Sequence, residues 1–246
     1  MSAHPVPREL LDSIVAHFNP QRVILFGSQA RGDAGPHSDI DLLVVVDDDT
    51  PAERLSGGSV AKSRAGYRGA ADILPCRASD FRTRAQARAS LPATVLREGV
   101  TLYAREAEIG GEVSEYGPWE EAQTWFRRAH DDLSLARLAL PADLTDGAAF
   151  HVQQALEKLL KGLLAAADQE LVKSHEIEEL AKLAHAHWPA VVASPFPLNN
   201  VGEWYIGSRY PDVEGPSPDP RAVAKALEAV AALLDLAEAQ KPQAET

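Results

Sequence analysis

A single cysteine, Cys76, in 246 residues leaves the chain unable to form an internal disulfide or a cysteine-based zinc site. That usage fits a reducing compartment. No stretch approaches the ~20 uninterrupted apolar residues of a membrane span, and the opening MSAHPVPREL has no signal-peptide core. These absences predict a cytoplasmic protein without a membrane segment. Basic residues are also short, 24 Lys and Arg against 36 Asp and Glu, for a net charge of −12. The deficit is uneven. Residues 1–105 carry 13 Lys/Arg against 12 Asp/Glu, or +1, whereas residues 106–246 carry 11 against 24, or −13. An acidic second part repels a polyanion and speaks against an extended nucleic-acid track there.

What is present is an ordinary folded composition, 45% hydrophobic and 24% charged, long enough for two modest domains. The organising stretch is Val23 to Val46. An apolar run, Val23 to Phe26, ends in Gly27-Ser28; after ten intervening residues Asp39-Ile40-Asp41 leads into a second apolar run, Leu42 to Val46. Short apolar runs bounded by Gly, Ser and Pro read as buried strands. The spacing predicts strand, turn, short helix, loop, strand. Alternation along the second strand places Asp39 and Asp41 on one face and Ile40 and Leu42 on the other.

Two carboxylates that close need a neutralising partner, and a divalent cation is the usual one. Ala71-Asp72-Ile73-Leu74 supplies a third acid in a short apolar run, a neighbouring strand. Backbone N–H groups at Gly27, Ser28 and the start of the following helix suit a triphosphate, because close phosphate approach needs a residue without Cβ. The pattern points to phosphoryl or nucleotidyl transfer, with two Mg²⁺ ions about 3.5–4 Å apart shared by the acids.

GSQARGDAGPHSDIDLLV with the later Asp72 resembles the DNA-polymerase-β-type nucleotidyltransferase signature and, more narrowly, the minimal nucleotidyltransferase family, with Arg31, Gly32 and Ser38 also matching. At Gln29 that family often has Arg. The resemblance implies nucleotide contacts at Gly27, Ser28, Arg31 and Ser38, metal ligands at Asp39 and Asp41, and a ligand and general base at Asp72. It implies transfer of AMP from ATP to a hydroxyl acceptor, on a protein tyrosine or a small molecule such as an aminoglycoside. A nucleotide-binding, antitoxin-like module with little turnover is the rival outside the enzymes.

Around this stretch, apolar spacing predicts an opening amphipathic helix over Pro7 to Phe18, a broken helix or loop over Ala52 to Gly69, a helix capped by Ser79 and running to about Ala89, a helix from Leu91-Pro92, and a last strand over Val100 to Tyr103. Asp47, Asp48 and Asp49 read as a solvated loop capping the next helix, and Arg54, Lys62, Arg64 and Arg68 as an exposed charge run within reach of phosphates. The first domain, residues 1–105, is therefore an α+β fold, a mixed sheet with helices against it. Residues 106–117, acidic and glycine-containing, form a linker.

Residues 118–246 predict an all-α antiparallel helical bundle, with helices over Trp119 to Leu140, Gly147 to Ala167 capped by Asp146, His175 to Ala186, a weak Leu198 to Ile206, and a final helix capped by Asp219. AFHVQQALEKLLKGLL, Ala149 to Leu164, and GSRYPD, Gly207 to Asp212, resemble the HEPN family of helical bundles. That resemblance implies a homodimer. Many relatives are ribonucleases using Arg with His four to six residues on; no bundle histidine here has that Arg, so ribonuclease activity is disfavoured. His151, Gln154, Lys158 and Lys161 form one helical stripe, read as a solvated face with Glu157 and Lys161 paired, or as a face toward the nucleotide or acceptor. Arg209, Tyr210 and Asp212 read as folding or pocket-lining residues. The acceptor is expected between the two domains.

Overall fold

The computed structural model describes residues 6–35, 38–64, 66–105, 115–193, 197–204 and 218–241. In chain order the first part holds α1 (Arg8–Phe18), β1 (Arg22–Phe26), α2 (Gly27–Arg31), β2 (Ile40–Val46), α3 (Gly57–Lys62), β3 (Ala71–Arg77), α4 (Ala78–Arg84), α5 (Leu91–Glu98) and β4 (Val100–Ala104), with a 3-10 turn at Ala52–Leu55. The sheet order is β3-β2-β1-β4. β2 runs parallel to β3 and antiparallel to β1, and β4 is antiparallel to β1, so the sheet is mixed. Pro75 has no N–H to give a ladder and lies on β3, an edge strand, where that is tolerated.

β2 reads IDLLVVV without polar alternation because both of its faces are covered. On one face Ile40, Leu42, Val44 and Val46 pack with Leu10, Ile14 and Phe18 of α1. On the other, Leu43 and Val45 pack with Ile24, Phe26, Phe81 of α4 and Val95 of α5. α1 buries residues four apart and ends on Asn19 at φ 48°, a left-handed cap that asparagine accepts readily.

Two helix starts differ from the expected caps. Ser79 sits inside α4, which ends at Arg84, and the cap comes from Asp48, whose Oδ1 accepts from the Ser79 N–H at 2.8 Å. Its neighbour Asp47 accepts from Arg105 Nη2 at 2.6 and 2.7 Å and from Gln21 Nε2 at 2.7 Å. Two of the three loop aspartates thus bind partners far along the chain, which sequence spacing does not display.

The second part contains α6 (Pro118–Ala139), α7 (Thr145–Ala166), α8 (Ile177–His187) and α9 (Pro220–Glu238), with 3-10 turns at Leu140–Ala142 and Asn199–Glu203. Asp219 caps α9 as expected, accepting from the Arg221 N–H at 3.1 Å. Asp146 does not cap α7: it lies within the helix, which begins one residue before it. The bundle core centres on α7, whose Leu156, Leu159, Leu160 and Leu163 are fully buried against α6, α8 and α9. Each such leucine contributes about 1.5–3 kcal/mol of transfer free energy. Among the described residues no helix is long and apolar enough to cross a membrane. The chain divides into two compact units, residues 1–86 with 90–115, and residues 87–89 with 116–246.

α6 and α7 approach closely at Gly162, where a Cβ would meet Phe126 Cε1 at 2.4 Å. Phe126 is 1% exposed and has no room to retreat. Gly162→Ala should therefore destabilise the bundle by about 1–3 kcal/mol from overpacking, although alanine adds about 1 kcal/mol of helix propensity. A higher urea midpoint for helix loss would contradict that packing.

Bidentate hydrogen bonding from Arg105, then Gln21, holds the Asp47 carboxyl below the usual carboxylate range. A depressed folded pKa gives stability that is present above the unfolded value, about 3.9, and is lost as pH falls through the folded one. Because both partners are partly exposed, at 29% and 36%, the contribution is small. Arg105→Ala should lower the denaturant midpoint at pH 6 and flatten its decline from pH 5 to pH 3. An unchanged slope would assign that decline to other groups.

Candidate active site

β1 ends at Phe26, and the chain turns at Gly27 with φ +73°, backbone that side-chain-bearing residues rarely adopt. Phe26 pairs with Asp41 across the antiparallel ladder, and Asp41 pairs with Asp72 across the parallel one. Residues directly opposite share a face, and neighbouring strands lie about 4.8 Å apart. Asp41 and Asp72 thus stand side by side on the face of Phe26, Leu43 and Val45. Ile40, Leu42, Ala71 and Ile73 turn to the opposite core. Asp39 lies one residue ahead of β2 and is exposed, as is Asp72; Asp41 is half-buried.

Gly27 and Asp41 form the tightest feature of the site. A Cβ at residue 27 would fall 2.1 Å from Asp41 Oδ2 and 3.0 Å from its Cγ. Glycine is required twice over, by the positive φ and by the carboxylate occupying the space of a side chain. The expected strand, turn, short helix, loop and strand are all present, and α2 is a single short turn of helix.

The loop before β2 is braced internally. Gln29 Nε2 donates to the Ser38 carbonyl at 3.2 Å, the Gly35 N–H donates to Ser38 Oγ at 2.9 Å, and the Ser38 N–H donates to the Gly35 carbonyl at 3.1 Å. Ser38 therefore shapes the approach to Asp39. Arg31 donates from Nη1 to Glu98 Oε2 at 2.9 Å and from Nε to Asp33 Oδ2 at 3.2 Å. Hydrogen bonding to Glu98 first, then Asp33, raises its pKa further above an already cationic range. In this arrangement Arg31 faces carboxylates. The bracing role of Gln29 was not read from the sequence, because its acceptor is a backbone carbonyl nine residues on.

Three carboxylates are hard oxygen donors suited to a divalent cation. Among the described residues, no group of three or more His, Cys, Asp and Glu side chains is gathered as a metal-holding cluster. Donor type and strand register nonetheless fit such an ion: the ladder holds Asp41 beside Asp72. The exposed side chains of Asp39 and Asp72 change rotamer on the ps–ns scale without moving the backbone.

Of the basic residues between β2 and β3, Arg64 donates from Nη2 to the Ala71 carbonyl and ties the segment to β3, while Arg54, Lys62 and Arg68 are exposed. Burial pushes the Cys76 thiol up to about 11, which leaves it un-ionised and a poor nucleophile at neutral pH.

In the bundle, the stripe on α7 is not a solvated face. Asp132 of α6, 7% exposed, accepts from Lys158 Nζ and pairs with His151 Nδ1 at 2.9 Å. Glu157, 6% exposed, accepts from Lys161 Nζ at 2.9 Å and pairs with His175 Nδ1 at 2.9 Å. The four-residue Glu157–Lys161 pair expected on α7 is present, but buried. Its burial comes from neighbouring elements, which a single-helix wheel omits. Arg209, Tyr210 and Asp212, and residues 106–114 of the linker, lie outside the described residues.

The nucleotidyltransferase domain family matches residues 7–102, and the HEPN domain family matches residues 122–240. No curated protein matches the chain at a significant level. Among solved structures, TT1696 from Thermus thermophilus is 30% identical over 48% of this chain and 97% of its own, with a TM-score of 0.40. The turn at Gly27 and the paired aspartates fall within the first matched span, and the helices around α7 within the second. The chain is thus a nucleotidyltransferase domain followed by a HEPN domain.

Proposed function

We propose that the chain transfers a nucleoside monophosphate, AMP from ATP, onto a hydroxyl acceptor with Mg²⁺. The observation that carries this reading is the in-register pair Asp41–Asp72 beside a glycine turn whose Cα is capped by the Asp41 carboxylate. Gly27 and Ser28, at the start of α2, would present backbone N–H groups to the triphosphate. Asp39, Asp41 and Asp72 would hold the divalent cations, and Asp72, exposed at the start of an edge strand, would accept the acceptor's proton. Bound Mg²⁺ would supply charge neutralisation at the transferring phosphorus and at the departing pyrophosphate. A bound acceptor would meet the triphosphate on the Phe26–Leu43 face of the sheet. The −13 charge of residues 106–246 favours a cationic acceptor, such as an aminoglycoside, over an anionic one. A homodimer, cytoplasmic residence and domain limits of 1–105 and 118–246 complete the reading.

Asp39 and Asp72 are exposed, so replacing either by Asn should leave stability within about 0.5 kcal/mol. Asp39→Asn, Asp41→Asn and Asp72→Asn should each lower pyrophosphate release from ATP at least about a hundredfold. Activity near that of the parent chain in any of the three would overturn the assignment of that carboxylate. Removal of divalent ions with a chelator should have the same effect and be reversed by Mg²⁺.

Gly27→Ala should lose activity to a similar extent, since its methyl group displaces the Asp41 carboxylate. The melting temperature should fall as well, because the new residue is held at φ +73°. An active Gly27→Ala chain would show that Asp41 does not need its present position.

A further inference from the structure

On the sheet face opposite Asp41 and Asp72, a serine and a histidine from different elements meet. Ser59 Oγ, in the first turn of α3, lies 2.8 Å from His17 Nε2, in the last turn of α1. A hydroxyl at hydrogen-bond distance from a ring nitrogen is the arrangement of an activated nucleophile. Resting on the transfer reading above, we infer that Ser59 is itself an acceptor hydroxyl: one copy of the chain nucleotidylates Ser59 of another, with His17 as the base.

Three further observations support this. The surroundings of the pair are cationic: Arg54 lies just before α3 and Lys62 at its end, both exposed, and both act electrostatically on His17. Burial first, then Arg54 and Lys62, lowers the His17 pKa, so the ring is neutral and able to accept a proton near pH 7. The same charges suit an incoming polyphosphate. The approach is also open. Ser59 is half-exposed, and a Cβ at Gly57 or Gly58 would meet nothing within 4 Å.

The third observation decides between copies. α3 packs through Val60 with the α1 core of Ile40, Leu42 and Ile73, whereas Asp41 and Asp72 point to the other face. The sheet separates Ser59 from the acids of its own chain, so the donor site must come from a second molecule.

In the step itself, Ser59 Oγ forms a bond to the α-phosphorus of ATP, and its proton passes to His17 Nε2. The bond from that phosphorus to the β-phosphate oxygen breaks, and pyrophosphate leaves with the electron pair. The product is a phosphodiester that joins the serine oxygen to adenosine through the former α-phosphate. The acceptor chain brings its own base, so the donor chain's Asp72 is needed as a carboxylate rather than as the proton acceptor.

The experiment incubates the full chain with ATP labelled at the α-phosphate and Mg²⁺, followed by peptide mapping, and measures pyrophosphate release with added hydroxyl acceptors in parallel. Label should appear on the peptide carrying Ser59, vanish in Ser59→Ala and persist in Ser59→Thr. The melting temperatures of both variants should match the parent. His17→Gln should slow labelling about a hundredfold while leaving pyrophosphate release to external acceptors unchanged, which a merely structural His17–Ser59 contact would not predict. When a Ser59→Ala chain is mixed with an Asp72→Asn chain, only the Asp72→Asn chain should be labelled. Undiminished labelling of Ser59→Ala, label confined to another residue, or label on Ser59 in a chain that cannot meet a second copy would overturn the inference. Absence of label alongside pyrophosphate release to an external acceptor would also sink it while sparing the transfer reading; absence of both would sink the two together.

Discussion

The carboxylate of Asp41 occupies the space that a side chain at residue 27 would need. Much of the first unit is arranged to permit that contact. β1 must end one residue earlier, the chain must turn through positive φ, and β2 must enter antiparallel so that Asp41 falls opposite Phe26. The parallel ladder then carries the constraint one strand further. Ala71 and Ile73 are buried against the α1 core, which leaves Asp72 on the face of Asp41. A one-residue slip of β3 would exchange these faces, burying the carboxylate and exposing the isoleucine. Hydrophobic burial on one side of the sheet thus fixes chemistry on the other.

The sheet therefore has two unlike faces. α4 and α5 cover the face of Leu43 and Val45 but leave the strand ends at Asp41 and Asp72 reachable by solvent. α1 and α3 cover the other, with His17 and Ser59 joining them at the rim. Asp47, just beyond β2, ties Gln21 ahead of β1 to Arg105 beyond β4. A loop aspartate that looks merely solvated in the sequence acts as a clasp at the end of the sheet remote from Asp41.

The helical unit handles charge differently. Asp132 and Glu157 are each held by one lysine and one histidine, and both acids are nearly buried. Such groups lose hydration on folding and recover it only through well-placed partners, so removal of one partner leaves a buried charge uncompensated. The contact of Gly162 with Phe126 sets the approach of α6 and α7 through shape.

The order of elements around Gly27, the mixed character of the sheet domain and the succession of amphipathic helices were readable because each depends on local patterns: apolar runs, turn residues and helical period. The two family resemblances were legible for the same reason, since their motifs are contiguous, and Asp219 was legible as a cap because its partner is two residues away. Partners far along the chain were not legible. Asp48 with Ser79, Arg31 with Glu98 and His151 with Asp132 are separated by 31, 67 and 19 residues. A residue's own neighbourhood dictates what element it joins. Which carboxylate meets which cation, and whether a charged stripe faces water or protein, waits on packing that brings distant segments together.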